Sequence, residues 1–325
     1  MMNADVDYID AVVAAVERQA DGISSWEFRR ADGGLLPAFT AGAHIELRLG
    51  NGMSRSYSLC NAQEDRDHYV VAINRDPNSR GGSTLIHDTV KPGDRIALSA
   101  PRNHFPLVED AEHVVLIAGG IGITPMYCMI QRLERLQRSW ELWYSCRQRS
   151  MCAFRERLEA LELAKPGRVN FNFDREPGGR MLDLEQVIAG TPQNAHLYCC
   201  GPNPMLQAFE TAAVHLGRPL DHIHVEYFAA KEEAALGGGF AVMCAKSGRE
   251  LHIEHGQSIL DAMIDAGIDI AYSCSEGICG TCECKVLEGV PDHRDSVLTP
   301  DEQAANDRIM VCCSGSQSAR LVLDI

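Results

Sequence analysis

The sequence has no apolar run near the roughly 20 residues that a membrane-spanning helix needs. Its longest apolar stretches, around residues 114–118 and 240–245, are far shorter, so no span and no membrane partner is expected. The N-terminus MMNADVDYID is acidic and carries no basic segment followed by an apolar one. No secretory signal or transit peptide is read there, and the cytoplasm is the expected compartment. Positive charge is also scarce. The 30 Lys and Arg stand against 45 Asp and Glu, a net charge of −15, which argues against nucleic acid as a partner because a phosphate backbone attracts clustered basic residues. A basic protein suits the chain better. The imbalance is uneven: residues 240–325 hold 6 Lys or Arg and 14 Asp or Glu, net −8, which makes that quarter the expected docking surface. The 13 cysteines are too sparse for a disulfide scaffold, and an odd number cannot all pair within one monomer, so reduced thiols or metal ligands are expected.

What is present falls into three textures over 325 residues, with no repeat or low-complexity tract. Residues 1–108 hold short β-rich runs such as HIELRL and HYVVAINR, separated by the turn signals DGG, GNG and KPGD, which fit a small antiparallel β-barrel or sandwich. Residues 109–232 alternate apolar strands (HVVLIAGG, ELWYSC, RVNFNF, AHLYCCG) with helical stretches, the first from about Thr124 to Gln137, the mark of an α/β domain with a parallel sheet. A glycine run at Gly237–Gly239 places a linker at 233–239. Residues 240–325 read as an α+β unit with strands FAVMCAK and ELHIEH, a helix near Ser258–Ala266 and a Cys-rich loop.

The strongest signal is Cys274, Cys279, Cys282 and Cys312, spaced C-x4-C-x2-C with a distant fourth thiol, the spacing of plant-type 2Fe-2S ligation. Three thiolates on one tight loop can wrap a diiron core that the fourth closes. Gly277 and Gly280 relax the loop and expose amides toward the sulfurs. A structural zinc site is the alternative for the C-x2-C pair, but it leaves the x4 spacing unexplained. Cys284 is expected to face away from Cys282 as a packed thiol, and Cys313 competes with Cys312 for the fourth place. Cys60, Cys128, Cys146, Cys152, Cys199 and Cys244 have no ligand spacing and read as buried small hydrophobes.

Two phosphate-binding patterns precede this loop. Arg55, Ser56, Tyr57 and Ser58 lie between strand-like runs, and RGGS follows at Arg80, Gly81, Gly82 and Ser83. Consecutive amides, a hydroxyl and an arginine could hold a phosphate, or form only a β-turn beside a surface arginine. HVVLIAGGIGITPM then joins a buried strand to a helix through Gly119, Gly120 and Gly122, with Thr124 near the N-cap and Pro125 in the first helical position. Such glycines let a dinucleotide approach the backbone, and the helix end favours its pyrophosphate. YCCGPNPM repeats the logic at Cys200, Gly201, Pro202 and Met205, which suggests a ligand across one sheet edge. The strict G-x-G-x-x-G fingerprint is absent.

In this order, RSYSL, RGGS, AGGIGITPM, CGP and the C-terminal cysteine segment resemble the phthalate dioxygenase reductase and vanillate demethylase reductase family over nearly the whole chain. The resemblance implies an FMN-binding β-barrel, an NADH-binding α/β domain and a plant-type ferredoxin domain. By matching motifs, Arg55, Ser56, Tyr57 and Ser58 line the flavin, Ala72, Ile73 and Asn74 border it, and Gly81, Gly82 and Ser83 take the phosphate. Phe228 matches an aromatic near the flavin ring, or is a core residue before the linker. The family aligns the ligand with Cys312, and it implies FMN rather than FAD. Arg147 and Asp174 are candidate contacts to the adenosine end. An acid near a ribose favours NADH, whereas Arg147 and Arg175 leave NADPH open. His293 and Arg294 in PDHRDSV either position the cluster domain or form a charged turn. His44, His68 and His104 are assigned no role.

The resemblance makes the chain the reductase component of an oxygenase or O-demethylase system, moving electrons from NADH through FMN and a 2Fe-2S cluster to a separate Rieske-type oxygenase. The alternatives are a ferredoxin-type module that does not oxidise NADH and a reductase serving a P450-type acceptor. A monomer is expected.

Overall fold

The computed structural model describes residues 8–50, 53–76 and 81–325. Arg80 of RGGS, the residues before Tyr8, and Asn51 and Gly52 of the GNG turn lie outside the described residues. The chain divides into two compact units, Tyr8–Glu226 and one carrying Tyr227–Ile325.

The first unit opens with strands β1 (Ile9–Ala20), β2 (Ile23–Arg30), β3 (His44–Arg48), β4 (Ser54–Ser58) and β5 (Tyr69–Asn74), then helix α1 (Gly82–Thr89) and β6 (Arg95–Leu98). They form an antiparallel sheet in the order β4-β3-β6-β1-β2-β5. A bridge between Leu59, just past β4, and Val71 of β5 joins the two edges and closes the barrel. Its core is largely apolar, with Trp26, Phe28, Ile45, Leu47 and Tyr69 buried.

Five parallel strands follow: β7 (His113–Gly119), β8 (Ser139–Cys146), β9 (Val169–Phe173), β10 (His196–Cys200) and β11 (Ile223–Glu226), connected by α2 (Ile123–Arg135), α3 (Arg155–Ala164), α4 (Leu184–Ala189) and α5 (Asn203–His215). The order β11-β10-β7-β8-β9 reverses direction at β7, so a crevice opens between β7 and β10 at the carboxyl edge. Helix α2 begins at Ile123 behind a 3-10 turn, with Gly122 as N-cap. Thr124 therefore lies inside the helix rather than capping it, and its hydroxyl donates back to the Ile121 carbonyl at 3.0 Å. The helix stops before Gln137, which adopts φ 55°. One buried core runs from the barrel into the α/β layers. Phe105 packs edge-on against Tyr198, and Arg132 bridges Glu64 and Glu109. The change of texture near residue 108 thus marks a change of architecture inside one compact unit.

The second unit contains β12 (Phe240–Cys244), β13 (Arg249–Ile253), α6 (Ile259–Asp265), β14 (Glu283–Glu288), β15 (Pro291–Asp292), α7 (Pro300–Ala305), β16 (Arg308–Met310), β17 (Gly315–Ser316) and β18 (Arg320–Leu323). Its main sheet runs β13-β12-β18-β14-β16, with β15 and β17 paired separately. A capping box of Ser258 and Asp261 starts α6. The glycine run read as a linker is tied down here. Ala235 N–H donates to the Cys313 carbonyl at 2.7 Å and Gly239 N–H to that of Ile253 at 2.8 Å, and a Cβ on Gly238 would collide with the Glu254 backbone. Those glycines permit close packing rather than slack.

Candidate functional site

Strand β4 carries Arg55, Ser56, Tyr57 and Ser58, and the first turn of α1 carries Gly82 and Ser83 behind Gly81, which adopts φ 96°. A Cβ on Gly82 would stand 2.8 Å from Cγ and Nε of Arg55, so the arginine arm lies directly on that turn. Two motifs well apart in sequence thus meet in one cradle, where the positive helix end and a guanidinium suit a phosphate. The Ser83 hydroxyl accepts the Asp76 N–H at 3.3 Å and keeps its own proton to donate. Ala72, Ile73 and Asn74 end β5, the first two buried, and the His87 ring bonds to the Ile73 carbonyl at 2.9 Å. Burial pushes the Tyr57 phenol up to about 12.

The two glycine turns sit at the carboxyl edge of β7 and β10, and most of their glycines serve each other. A Cβ on Gly122 would collide with the Cys200 carbonyl, and one on Gly119 would stand 2.7 Å from the Met205 sulfur and 2.8 Å from Pro202 Cδ. Gly201 is held by Met205 and Gly119 in the same way. The reading of all these glycines as openings for a dinucleotide is therefore corrected: Gly119, Gly122 and Gly201 let the turns interlock. Gly120, at φ 55°, is the open one, since a Cβ there would meet nothing within 4 Å. At the same edge, parallel pairing of Cys146 with Phe173 sets the next residues, Arg147 and Asp174, side by side. Arg147 is exposed, and Asp174 Oδ1 is buried without a hydrogen-bond partner in the described structure, an acceptor suited to a ribose hydroxyl.

Between these two regions stands Glu226, at the end of β11, which sequence reasoning missed. The Ser58 hydroxyl donates to Glu226 Oε2 at 3.4 Å and the Cys200 thiol points to the same oxygen at 4.0 Å. Part of its surface is open, yet it lies deep among protein atoms, and this desolvation pushes its carboxyl up to about 8, against a smaller lowering by Ser58. That shift favours the protonated carboxyl at neutral pH. The available signal was an acid closing the strand IHVE with no basic residue beside it, in a segment singled out only for Phe228. Phe228 itself belongs to the second unit and is 37% exposed.

In the second unit the thiols of Cys274, Cys279, Cys282 and Cys312 gather: Cys274 touches Cys279 and Cys312, and Cys282 touches Cys312. All four are buried. Glu276 N–H donates to Cys274 Sγ at 3.3 Å, and the Cys279 thiol donates to Thr281 Oγ1 at 3.2 Å. Gly277 and Gly280 adopt φ 69° and 71°. Cys313 points instead at Gly277, where a Cβ would collide with its sulfur. The expectation that Cys284 faces away because it lies two residues past Cys282 rests on a wrong step, since two residues along a strand return to the same face. What separates them is that β14 begins only at Glu283, and the Cys284 thiol lies near Cys244. Among the described residues no three His, Cys, Asp or Glu converge on a single ion. Arg294 bonds Asp292 and Glu232, and its N–H donates to Ser314 Oγ at 3.1 Å, which ties the loop to the start of the unit. His293 lies 3.7 Å from Asp295.

Residues 242–316 match the family model of the 2Fe-2S iron-sulfur cluster binding domain, and residues 116–211 that of the oxidoreductase NAD-binding domain. The chain is 46% identical over 330 residues to tetrachlorobenzoquinone reductase of Sphingobium chlorophenolicum, covering 100% of both chains. It is 42% identical to vanillate O-demethylase oxidoreductase of Pseudomonas putida, covering 98% of this chain and 100% of the other. Among solved structures, phthalate dioxygenase reductase, described as a modular structure for electron transfer from pyridine nucleotides to 2Fe-2S, matches with TM-score 0.73 and 36% identity over 98% of both chains. The chain belongs to the phthalate dioxygenase reductase and vanillate O-demethylase reductase family. Like that family it is an NADH-dependent oxidoreductase with an antiparallel flavin-type barrel, a parallel-sheet nucleotide domain and a 2Fe-2S domain. An intact type IV self-sufficient cytochrome P450 monooxygenase matches with TM-score 0.88 and 38% identity over 98% of this chain, which spans about two fifths (41%) of that one. Among the described residues, no helix of this family member is long and apolar enough to cross a membrane.

Proposed function

We propose that the chain is the reductase component of an oxygenase or O-demethylase system, passing electrons from NADH through FMN and a 2Fe-2S cluster to a separate Rieske-type non-haem iron oxygenase. The observation that carries the reading is Glu226, on which a residue of the flavin-side strand, Ser58, and a residue of the nucleotide turn, Cys200, converge. A hydride donor and its acceptor ring must meet at such a junction. The three domains are residues 1–108, 109–232 and 240–325, with 233–239 between the last two.

FMN, when bound, accepts a two-electron hydride and releases electrons singly, which a 2Fe-2S centre requires. The chain's own residues do the rest. Arg55, Gly81, Gly82 and Ser83 hold the phosphate, while Ser56, Tyr57, Ser58, Ala72, Ile73 and Asn74 fix the ring plane. Gly119, Gly120, Gly122, Thr124, Cys200, Gly201, Pro202 and Met205 shape the crevice for the dinucleotide, and Arg147 and Asp174 take its adenosine end. Protonated Glu226 holds a proton at Oε and keeps a negative charge away from the arriving hydride. Cys274, Cys279, Cys282 and Cys312 supply the four thiolates, and the acidic second unit docks the partner. The protein works as a cytoplasmic monomer.

The self-sufficient P450 match supports a second reading, in which the acceptor is a P450 haem. Anaerobic stopped-flow mixing of the NADH-reduced protein with an oxidised Rieske oxygenase, and separately with an oxidised P450, decides between them. Prompt cluster reoxidation by the Rieske protein alone is expected; reoxidation by the P450 alone overturns the first reading in favour of the second.

A further inference from the structure

Cys146 and Cys152, read from sequence as inert packed thiols, lie against each other. Cys146 closes β8 at the carboxyl edge, immediately before Arg147, and Cys152 follows the 3-10 turn Arg149–Met151. Their side chains lie within interaction range of one another and of the Tyr144 hydroxyl. That hydroxyl donates to the carbonyl of Gly120, the open glycine of the nucleotide turn, at 3.0 Å and accepts the N–H of Ala153, next to Cys152, at 3.1 Å. The Gly120 N–H in turn faces the Cys146 sulfur. The thiol pair and the nucleotide turn thus share one hydrogen-bond chain. Cys152 also lines a cavity of about 310 Å³ open to solvent, whose walls include Arg18, Arg149, Arg155 and Arg157.

We propose that Cys146 and Cys152 form an oxidisable dithiol, closed to a disulfide by hydrogen peroxide entering through the arginine-lined cavity, and that closure weakens nicotinamide-nucleotide binding at Gly120. The second half rests on the function proposed above; the first does not. Peroxide reaches the pair past Cys152, which lines the cavity; the neighbouring Cys146 sulfur attacks one peroxide oxygen, the O–O bond breaks, and water leaves with the thiol proton, giving a sulfenic acid. The Cys152 sulfur then displaces that hydroxyl as a second water while the S–S bond forms. Two sulfurs lose two electrons together, and one peroxide becomes two waters. Donation from Cys152, with Tyr144 and Gly120 adding to it, holds the Cys146 thiol below its usual range, whereas burial pushes the Cys60, Cys128, Cys199 and Cys200 thiols up. Closing the bridge draws Cys152 toward Cys146 and moves the adjoining Ala153, whose N–H holds the Tyr144 hydroxyl, so the Gly120 carbonyl that this hydroxyl anchors is displaced.

The test treats the whole reduced protein with hydrogen peroxide, blocks remaining thiols, digests with trypsin and weighs the peptides. Cleavage after Arg138, Arg147, Arg149 and Arg155 puts the two cysteines on separate fragments, 139–147 and 150–155. The expected product is the pair joined and lighter by two hydrogens, released by dithiothreitol. Recovery of both fragments singly with blocked thiols overturns the dithiol. In parallel, calorimetric NAD⁺ binding to peroxide-treated protein is expected to weaken severalfold in the wild type and to stay unchanged in Cys152→Ser, with Cys152→Ala as the control should serine disturb the pocket. A joined peptide with unaltered NAD⁺ affinity overturns the coupling. Failure of the untreated wild type to bind NAD⁺ overturns the proposed function, while the peptide result still decides the dithiol.

Discussion

Glu226 ends β11 with no arginine or lysine among the groups that shift it, only Ser58, and burial outweighs that single hydroxyl bond. Its carboxyl therefore keeps a proton up to about pH 8 in the folded protein, whereas the unfolded chain releases it near the ordinary glutamate value of 4.5. The folded state binds more protons across that window, so stability falls as pH rises from 4.5 through about 8 and levels off above it. Glu226→Gln removes this slope: urea midpoints of the variant, subtracted from those of the wild type, are expected to diverge over that window, and parallel curves would contradict the assignment. The iron ligands give a second residue-scale prediction. Cys312→Ser is expected to lose the visible cluster absorbance and the bound iron, and Cys313→Ser to retain both, because only Cys312 touches Cys274 and Cys282. At the flavin cradle, Arg55→Ala removes a charged hydrogen-bond donor worth about 1.5–3 kcal/mol, roughly 10- to 150-fold in FMN affinity. Flavin fluorescence on serial dilution measures it, and unchanged retention would remove Arg55 from the phosphate site.

The interlocked glycine turns are the element whose chemistry was least legible from its own residues. AGGIG and CGPNP announce a strand-to-helix turn, and both form one, but why each glycine is needed depends on the other turn. Gly122 must be glycine because the Cys200 carbonyl occupies the place of its Cβ. Gly122→Ala is accordingly expected to destabilise by about 1–3 kcal/mol or more through overpacking, whereas Gly120→Ala meets no neighbour and costs only the left-handed backbone, about 1 kcal/mol. Thermal unfolding of the two variants checks the order; equal losses would show that the turns do not interlock. Locality separates what could be read from what could not. Cys274, Cys279 and Cys282 share one loop, so spacing alone exposes them. Strand alternation and the β-to-α change of texture likewise mark the barrel and the parallel sheet. Glu226 has partners on β4 and at the end of β10, and the Cys146–Cys152 contact depends on how the chain turns after β8, so neither leaves a periodic trace. The helix expected near Ser258–Ala266 falls within a residue of α6 at each end, while Thr124 misled because its hydroxyl bonds backward within a buried turn.

At the scale of the whole molecule, the barrel and the nucleotide sheet share a core and fold as one compact unit, and the cluster-binding residues occupy another. This division matches the two halves of the chemistry: hydride is received within a single core, and electrons leave one at a time from a separate unit. The acidic excess of residues 240–325 lies on the unit that must meet the partner. Raising ionic strength is therefore expected to slow reduction of a basic acceptor while leaving NADH oxidation by a small uncharged quinone unaffected; equal slowing of both would contradict an electrostatic docking face. The central claim is that NADH electrons reach both a flavin and a cluster in this one chain. An anaerobic NADH titration of the purified holoprotein, followed by visible absorption, tests it most directly. The account predicts that flavin and cluster bands bleach together, with about three electrons taken up per chain, two by the flavin and one by the cluster. Cluster bands that NADH leaves untouched, yet dithionite reduces, would contradict it and leave only an electron-transfer module.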